Sequence, residues 1–261
     1  MTRLSPFIAL AAAGLGYGVG RLLRGGTPVN SRGGRPAGRP KSPRTRALEG
    51  GAAMLQGHPA FKGFDIYLVG FHPMKDDPEK QFEAHHLCRQ VNEDFAECVL
   101  FDGNGPDANL VGIEYIISEM LFEQLPQDER RYWHPHNGEI LSGQLIAPNL
   151  PEPAEHTLMS DKMNSYGKTW HLWDTTSADA LTRRLPIGEP MLAWSFCRDG
   201  EALQWLIDRR DRDFGTNTDA RRLARRDLVD EAHPQVGVDA LKGRFKRPTQ
   251  DIPGVMDRGD G

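Results

Sequence analysis

Histidine and glutamate side chains that could bind a metal ion or move protons lie in the middle of the chain. His134 and His136 are separated by one residue, so in an extended segment both side chains point the same way. Pro135 favours that extended state for His134. Glu139 follows, and imidazoles with a carboxylate suit zinc, iron, nickel or manganese. The spacing predicts a divalent metal ion as the candidate cofactor, held by His134, His136 and, further along the chain, His171.

Two further groups are candidates for the same site. Glu114 lies inside an apolar run from Val111 to Ile117, where a carboxylate needs a partner or a raised pKa. His85 lies at the edge of the apolar stripe of a predicted helix, and His86 is predicted to face away. The candidate polar or metal cluster consists of His85, Glu114, His134, His136, Glu139 and His171.

These residues also have purely structural interpretations. Trp133, His134 and His136 could pack as polar-edged aromatic side chains in a loop, and Glu114 could lie on a solvated sheet face. If a metal is bound, an open position for water with Glu114 or Glu139 as base would make a metal-assisted or acid–base enzyme. The sequence has no P-loop, no GxSxG and no HExxH, so no motif selects a reaction or a substrate.

The elements that must position these residues alternate without a regular repeat. The pattern predicts strands at 64–71, 98–101, 110–117, 139–147, 169–174 and 191–197, and helices at 78–95, 118–131 and 153–166. Several strands are joined too briefly for parallel crossovers. The sequence therefore predicts an α+β fold with a mixed, largely antiparallel sheet and packed helices, preceded by a hydrophobic N-terminal segment.

Composition divides the chain into four parts. Residues 1–24 form a hydrophobic signal or membrane anchor, although their apolar stretch is shorter than the roughly 20 residues that span a bilayer; a mobile tail is the alternative. Residues 25–52 are a basic Gly/Pro-rich linker, residues 53–243 the α+β domain, and residues 244–261 a loosely ordered tail. The three cysteines are too few for a disulfide framework and leave room for one disulfide.

Charge is distributed unevenly along the chain. Residues 1–48 hold nine Lys or Arg and no Asp or Glu, whereas the remainder carries 23 basic and 36 acidic residues. A basic arm is attracted to anionic membrane or lipid surfaces, and a solvated linker is the alternative. The lipid-contact candidates are Arg21, Arg24, Arg32, Arg35, Arg39 and Lys41. The acidic body is not expected to bind nucleic acid.

The predicted location follows from these N-terminal features. A signal or anchor segment predicts a membrane-associated or cell-envelope protein. If the segment stays uncleaved, the basic residues behind it keep the domain on the cytoplasmic side. Nothing in the sequence specifies an oligomeric state.

Several ordered motifs carry a resemblance to a known family. They are Glu83–Cys88, Leu110–Ser118, Trp133–His136, Gly167–His171 and Pro186–Met191. Over about residues 55–240 the chain resembles the oil body-associated protein family, a domain family of unknown function with bacterial members that often carry N-terminal export or anchor segments. The resemblance implies a bacterial, non-enzymatic lipid- or membrane-interface protein, and it brings no established activity or cofactor. The metal-assisted or His/Glu enzyme is the alternative.

Overall fold

An antiparallel sheet organises residues 31–259, the part of the chain that the computed structural model describes. Its strands are β1 (Ile66–Pro73), β2 (Gln81–Asn92), β3 (Phe95–Phe101), β4 (Leu110–Ile117), β5 (His134–Pro135), β6 (Tyr166–His171) and β7 (Met191–Leu192). The order across the sheet is β1-β2-β3-β4-β6-β5, β7 pairs with β6, and every pairing is antiparallel. The predicted α+β class with a largely antiparallel sheet is confirmed.

Short helices and a second small sheet complete the described part of the fold. The helices are α1 (Pro43–Leu55), α2 (Glu119–Glu123), α3 (Gln127–Arg130), α4 (Asn137–Leu141), α5 (Glu152–Lys162), α6 (Ala180–Arg184), α7 (Gln204–Phe214) and α8 (Thr218–Ala224). The second sheet pairs β8 (Arg198–Asp199) with β9 (Gln250–Asp251). Among the residues described, no helix has the length and apolar character needed to cross a bilayer.

The predicted helix over residues 78–95 is wrong, because this segment forms the long strand β2. Phe82, Ala84, His86 and Cys88 alternate along it and share one side of the sheet, as successive strand residues point to opposite faces. Twelve residues is about twice the usual strand length, and the same apolar residues also fit a helical stripe. The consequence is that His85 and His86 exchange their predicted orientations.

The predicted strand over residues 139–147 is also wrong. The segment begins inside α4 and continues as a buried loop. Ile140, Leu141, Leu145 and Ile146 are all buried, so the run has no exposed face that would distinguish strand from helix. Gly143 adopts φ +79°, which ends the helix and which other residues rarely adopt.

The main core lies between the sheet and helices α4 and α5. Leu68 and Leu100 of the sheet belong to the same buried cluster as Ile140, Leu158 and Met159. A disulfide joins Cys88 to Cys98, which face each other across β2 and β3. It fixes the pairing of β2 with β3, and β3 pairs in turn with β4, the strand that carries Glu114.

Part of the predicted basic linker is attached to the body. The Arg32 guanidinium pairs with the Glu83 carboxylate at 3.1 Å and with that of Asp213 at 2.5 Å. The amide of Gly34 donates to the carbonyl of Thr175. Helix α1 follows, with its residues exposed or half-buried and none fully buried. The predicted signal or anchor, residues 1–24, lies outside the described residues.

The segment predicted as a loosely ordered tail, residues 244–261, is packed over the part that the structure describes. Phe245, Ile252 and Val255 are buried. Ile252 and Val255 belong to the main core, and Phe245 packs with Phe196 in a second buried cluster. The packed body therefore continues beyond the predicted domain end at residue 243.

Candidate metal centre

The antiparallel register gathers polar side chains on one face of the sheet. Cys98 pairs with Glu114, and Glu114 pairs with Thr169, so all three lie on the same side. His86 on β2 and His171 on β6 each lie two residues along the strand from a residue paired at this level, so both also point to this side. We call it the site face. Strands β1 and β5 and the start of α4 complete a buried His/Glu cluster: His72, His86, Glu114, His134, His136, Glu139 and His171.

Glu114 is surrounded by three imidazoles. Its Oε1 lies 3.3 Å from Nε2 of His136 and 3.5 Å from Nε2 of His134, and its Oε2 lies 3.0 Å from Nε2 of His86. Burial on its own would raise the pKa of Glu114. The short contacts of Glu114 with the His136 and His86 rings outweigh burial and hold this pKa well below its usual range. The carboxylate is therefore the negative centre of the cluster.

The hydrogen bonds of Ser165 determine how His136 presents its ring. The Ser165 hydroxyl donates its single proton to the carbonyl of Lys162 at 2.6 Å. The same oxygen lies 2.8 Å from Nδ1 of His136, so it accepts from Nδ1–H. In a neutral His136 the Nε2 lone pair then points toward Glu114 Oε1 at 3.3 Å. Two acceptors at this distance repel unless a proton or a cation lies between them.

The imidazole ring of His134 is buried without hydrogen bonds to the described residues. Its exposed fraction is 0%, and neither ring nitrogen has a hydrogen-bond partner. Burial, reinforced by the neighbouring His136, lowers the pKa of His134 to about 3, so its ring is neutral. Buried polar atoms without partners are uncommon and costly. His134 is therefore positioned as a metal ligand would be, with nitrogen lone-pair density available.

His72 and His171 form a second histidine pair beside Glu114. Nδ1 of His72 lies 3.0 Å from Nε2 of His171. Burial lowers the pKa of both rings, to about 3 for His171. The Nδ1 of His72 is thus occupied by His171, which leaves its Nε2 for another partner.

Two triplets in the cluster have metal-ligand spacing. The ligand atoms of His72, Glu114 and His134 lie within 4.8 Å of one another, as do those of His134, His136 and Glu139. Glu139 Oε1 has no hydrogen bond among the described residues, and burial together with Glu114 raises the pKa of Glu139 well above the usual range. The two triplets share His134.

Gly167 leaves room for these atoms to converge. A Cβ on Gly167 would lie 2.3 Å from Glu114 Oε1, 2.6 Å from His136 Nε2 and 2.7 Å from His134 Nε2. All three atoms are side-chain ends held in a buried setting. No side chain other than that of glycine fits at this position without displacing them.

The cluster differs from the predicted one at three histidines. His85 was expected in it but lies on the opposite face, where its Nδ1 is 2.7 Å from the Tyr67 hydroxyl and its Nε2 is 3.1 Å from Glu83. His86 was expected to face away but contacts Glu114. His72 was not predicted at all. The period-two alternation of β2 would have found His86, and extending the first predicted strand by one residue would have found His72.

The lipid-contact candidates are in different situations. Arg21 and Arg24 lie outside the described residues, and Arg32 pairs with buried Glu83 instead of projecting into solvent. Arg35 and Arg39 are exposed. Lys41, the remaining residue of the predicted set, is exposed and forms an ion pair with Glu49 in α1.

Comparisons with known proteins identify a family to which this chain is similar. A family model described as "Protein of unknown function (DUF1264)" matches residues 58–229. Oil body-associated protein 1A of Zea mays is 37% identical over 180 residues, which is 69% of this chain and 74% of that protein. Oil body-associated protein 2A of Arabidopsis thaliana is 34% identical over 192 residues, 73% of this chain and 76% of that protein. No solved structure matches.

Proposed function

The chain belongs to the oil body-associated protein family, whose biochemical role is unknown, and from its site we propose that it binds a divalent transition-metal ion. The observation that carries the proposal is the orientation of His136. Its Nδ1–H is committed to Ser165, and its Nε2 points toward a carboxylate oxygen. With His136 neutral, a metal cation beside these two atoms would remove their repulsion, as a proton shared between them also would. The cation would also give an interaction to the ring nitrogens of His134, which have no hydrogen bond among the described residues.

The donor set fits such an ion. His134 is the shared ligand, with His72 and Glu114 on one side and His136 and Glu139 on the other. Nitrogen and oxygen donors without a thiolate suit zinc, iron, nickel or manganese.

Two of these imidazoles have an outer hydrogen-bond partner that would orient them. Ligating histidines usually hydrogen-bond through their second ring nitrogen. Ser165 accepts from His136 in this way, and His171 pairs with His72. These outer contacts support a preorganised centre.

Metal analysis of untagged protein tests the proposal. We expect close to one equivalent of a transition metal in the purified chain, or stoichiometric uptake of added zinc or cobalt by protein treated with chelator. The variant His134→Asn should lose the ion. His156→Asn is the matched control, because His156 lies at the surface beside Asp227. No uptake by the folded parent, or equal uptake by both variants, would refute metal binding.

We also propose that the chain works at a lipid surface. The support is the association that the names of its plant relatives state, together with the basic arm of residues 1–48. Basic residues near an anionic bilayer each contribute about 1 kcal/mol. Among the predicted contacts, Arg35 and Arg39 are exposed and free to take part.

Vesicle flotation tests this second proposal. The full chain should float with phosphatidylserine-containing vesicles, and less with neutral ones or at high salt. The comparison protein should begin at Ser31, since Arg32 and Gly34 contact the body and need to be retained. Equal recovery of the two proteins in the soluble fraction would exclude a role for residues 1–30 in lipid binding.

A further inference from the structure

A small chamber adjoins the His/Glu cluster between the sheet and α5. It is partly open and has a volume of about 30 Å³, and its polar end is lined by His86, Glu114, His136 and Glu139. Its other walls are apolar and come from Leu68, Ile116, Leu145, Leu158 and Met159. Lys162 also lines it, and the Lys162 ammonium group donates to the side-chain oxygen of Gln90. The chamber is therefore polar only where it meets the candidate ligands.

The polar end of the chamber has unused bonding capacity. His86 keeps Nδ1, and Glu139 keeps Oε1, without a hydrogen-bond partner among the described residues. Both side chains are more than nine-tenths buried. A molecule in the chamber would thus meet unsatisfied polar atoms beside the cluster and close-packed aliphatic groups elsewhere.

The volume restricts what can enter. One water needs about 10–15 Å³ of such space, whereas sites for drug-sized ligands occupy roughly 300–1,000 Å³. The chamber therefore accepts a molecule of at most about three heavy atoms and excludes an acyl chain, a sugar or a nucleotide. A larger cleft of about 300 Å³ has only His171 of the cluster in its wall. A large ligand in that cleft would contact the cluster through His171 alone.

We propose that the chamber is the position of an exchangeable ligand of the metal, and that this ligand belongs to the class of molecules with at most three heavy atoms, which includes water and dioxygen. The inference rests on the proposed metal site. The apolar walls would shield the bound molecule from bulk water, and the His/Glu end would face the ion.

Small-ligand binding to the cobalt-loaded full chain tests the proposal. Cobalt content is measured first, so a failure of metal binding is recognised separately. Azide, with three atoms, should shift the visible absorption bands of the cobalt protein in a saturable manner. Imidazole, a five-membered ring, should leave the bands unchanged over the same concentration range. No azide shift at full cobalt loading, or an equal response to imidazole, would overturn the proposal and leave the metal site intact.

Filling the chamber gives an independent check. Leu145→Phe adds volume to the apolar wall, and overpacking of this kind costs enough to raise the azide concentration at half-saturation by about tenfold or more. Leu145→Met conserves volume and is the matched control, expected to behave like the parent. If Leu145→Phe holds cobalt at full stoichiometry and still binds azide like the parent, the ligand lies elsewhere.

Discussion

Because Gly167 has no Cβ, the side-chain atoms of the His/Glu cluster can approach one another at this position. A Cβ there would lie within 2.7 Å of side-chain atoms from Glu114, His136 and His134. We expect Gly167→Ala to abolish metal uptake and to lower the free energy of unfolding by about 1–3 kcal/mol through overpacking. Metal analysis and urea denaturation measure the two effects.

Gly50→Ala provides the matched control for Gly167. Gly50 lies in α1, and a Cβ there meets no atom within 4 Å. This variant should take up metal like the parent and unfold at the same or a slightly higher urea concentration. If Gly167→Ala behaves in the same way, the three ligand atoms do not converge at this position in solution.

Glu83 makes a separate prediction about acid stability. Burial alone would raise its pKa, but the hydrogen bond with His85 and the charges of Arg32 and Arg209 lower it to about 2. The unfolded-state value is 4.5, so the charged, paired carboxylate stabilises the fold at neutral pH. This contribution, on the order of 3 kcal/mol, is present above pH 4.5 and is lost as the pH falls toward 2.

Urea titrations at several pH values measure this effect. Glu83→Gln should be less stable than the parent at pH 7 and should show a flatter decline between about pH 5 and pH 2. Glu93→Gln, at an exposed position, should follow the parent curve. If the free energies of unfolding of the parent and of Glu83→Gln fall in parallel with decreasing pH, Glu83 does not contribute to acid unfolding.

At the scale of elements, the disulfide ties β2 to β3 next to the strand that carries Glu114. It closes a loop over a sequence separation of 10 residues. We expect Cys88→Ala combined with Cys98→Ala to lower the free energy of unfolding by about 2–4 kcal/mol. Chemical denaturation with and without a thiol reductant measures this.

Cys197 supplies the control for the disulfide prediction. It is buried and free, and burial raises the pKa of its thiol, which makes it unreactive. Cys197→Ala should retain the sensitivity to reductant that the parent shows, whereas the double variant should have none. A reductant effect of equal size in the double variant would mean that this disulfide does not stabilise the sheet.

Some elements could be predicted from sequence, and the reasons are specific. Strand β4 occupies the predicted residues 110–117, because a nearly continuous apolar run of that length fits a buried strand. The helix predicted at 118–131 is divided by Pro126 into α2 and α3, and Ser118 caps the first of them. In both cases local chemistry and tertiary packing favour the same structure.

Other elements could not be predicted because tertiary packing overrides the local pattern. The site face of β2 carries His86 among apolar residues, and the opposite face carries Leu87, so neither face is uniformly apolar or polar. Glu114, His134, His136, Glu139 and His171 were identified by residue type and spacing, and the structure brings them together. The contribution of His72 depends on the pairing of β1 with β2, which the sequence does not specify.

For the whole molecule, the attached part of the arm has an energetic consequence. Arg32 pairs with Glu83, whose side chain is 1% exposed, so losing this partner leaves a buried carboxylate with fewer compensating charges. We expect Arg32→Gln to lower the free energy of unfolding by about 1–3 kcal/mol. Thermal and urea unfolding measure the change.

Arg35→Gln is the matched control for Arg32, since Arg35 is exposed. Its effect should stay within about 0.5 kcal/mol of zero, as for most surface substitutions. Equal stabilities of the two variants would show that the arm does not depend on the Arg32 pair for its attachment in solution.

If the N-terminal segment is anchored in a lipid surface, the contact at Arg32 limits how far the body can move from that surface. If residues 1–24 are held in a bilayer, only eight residues connect Arg24 to the first ion pair, and a fully extended chain of that length reaches about 28 Å. A free linker up to residue 53 would reach about 100 Å. The body would be held close to the surface by its β2–α7 side, and the short reach would restrict its rotation.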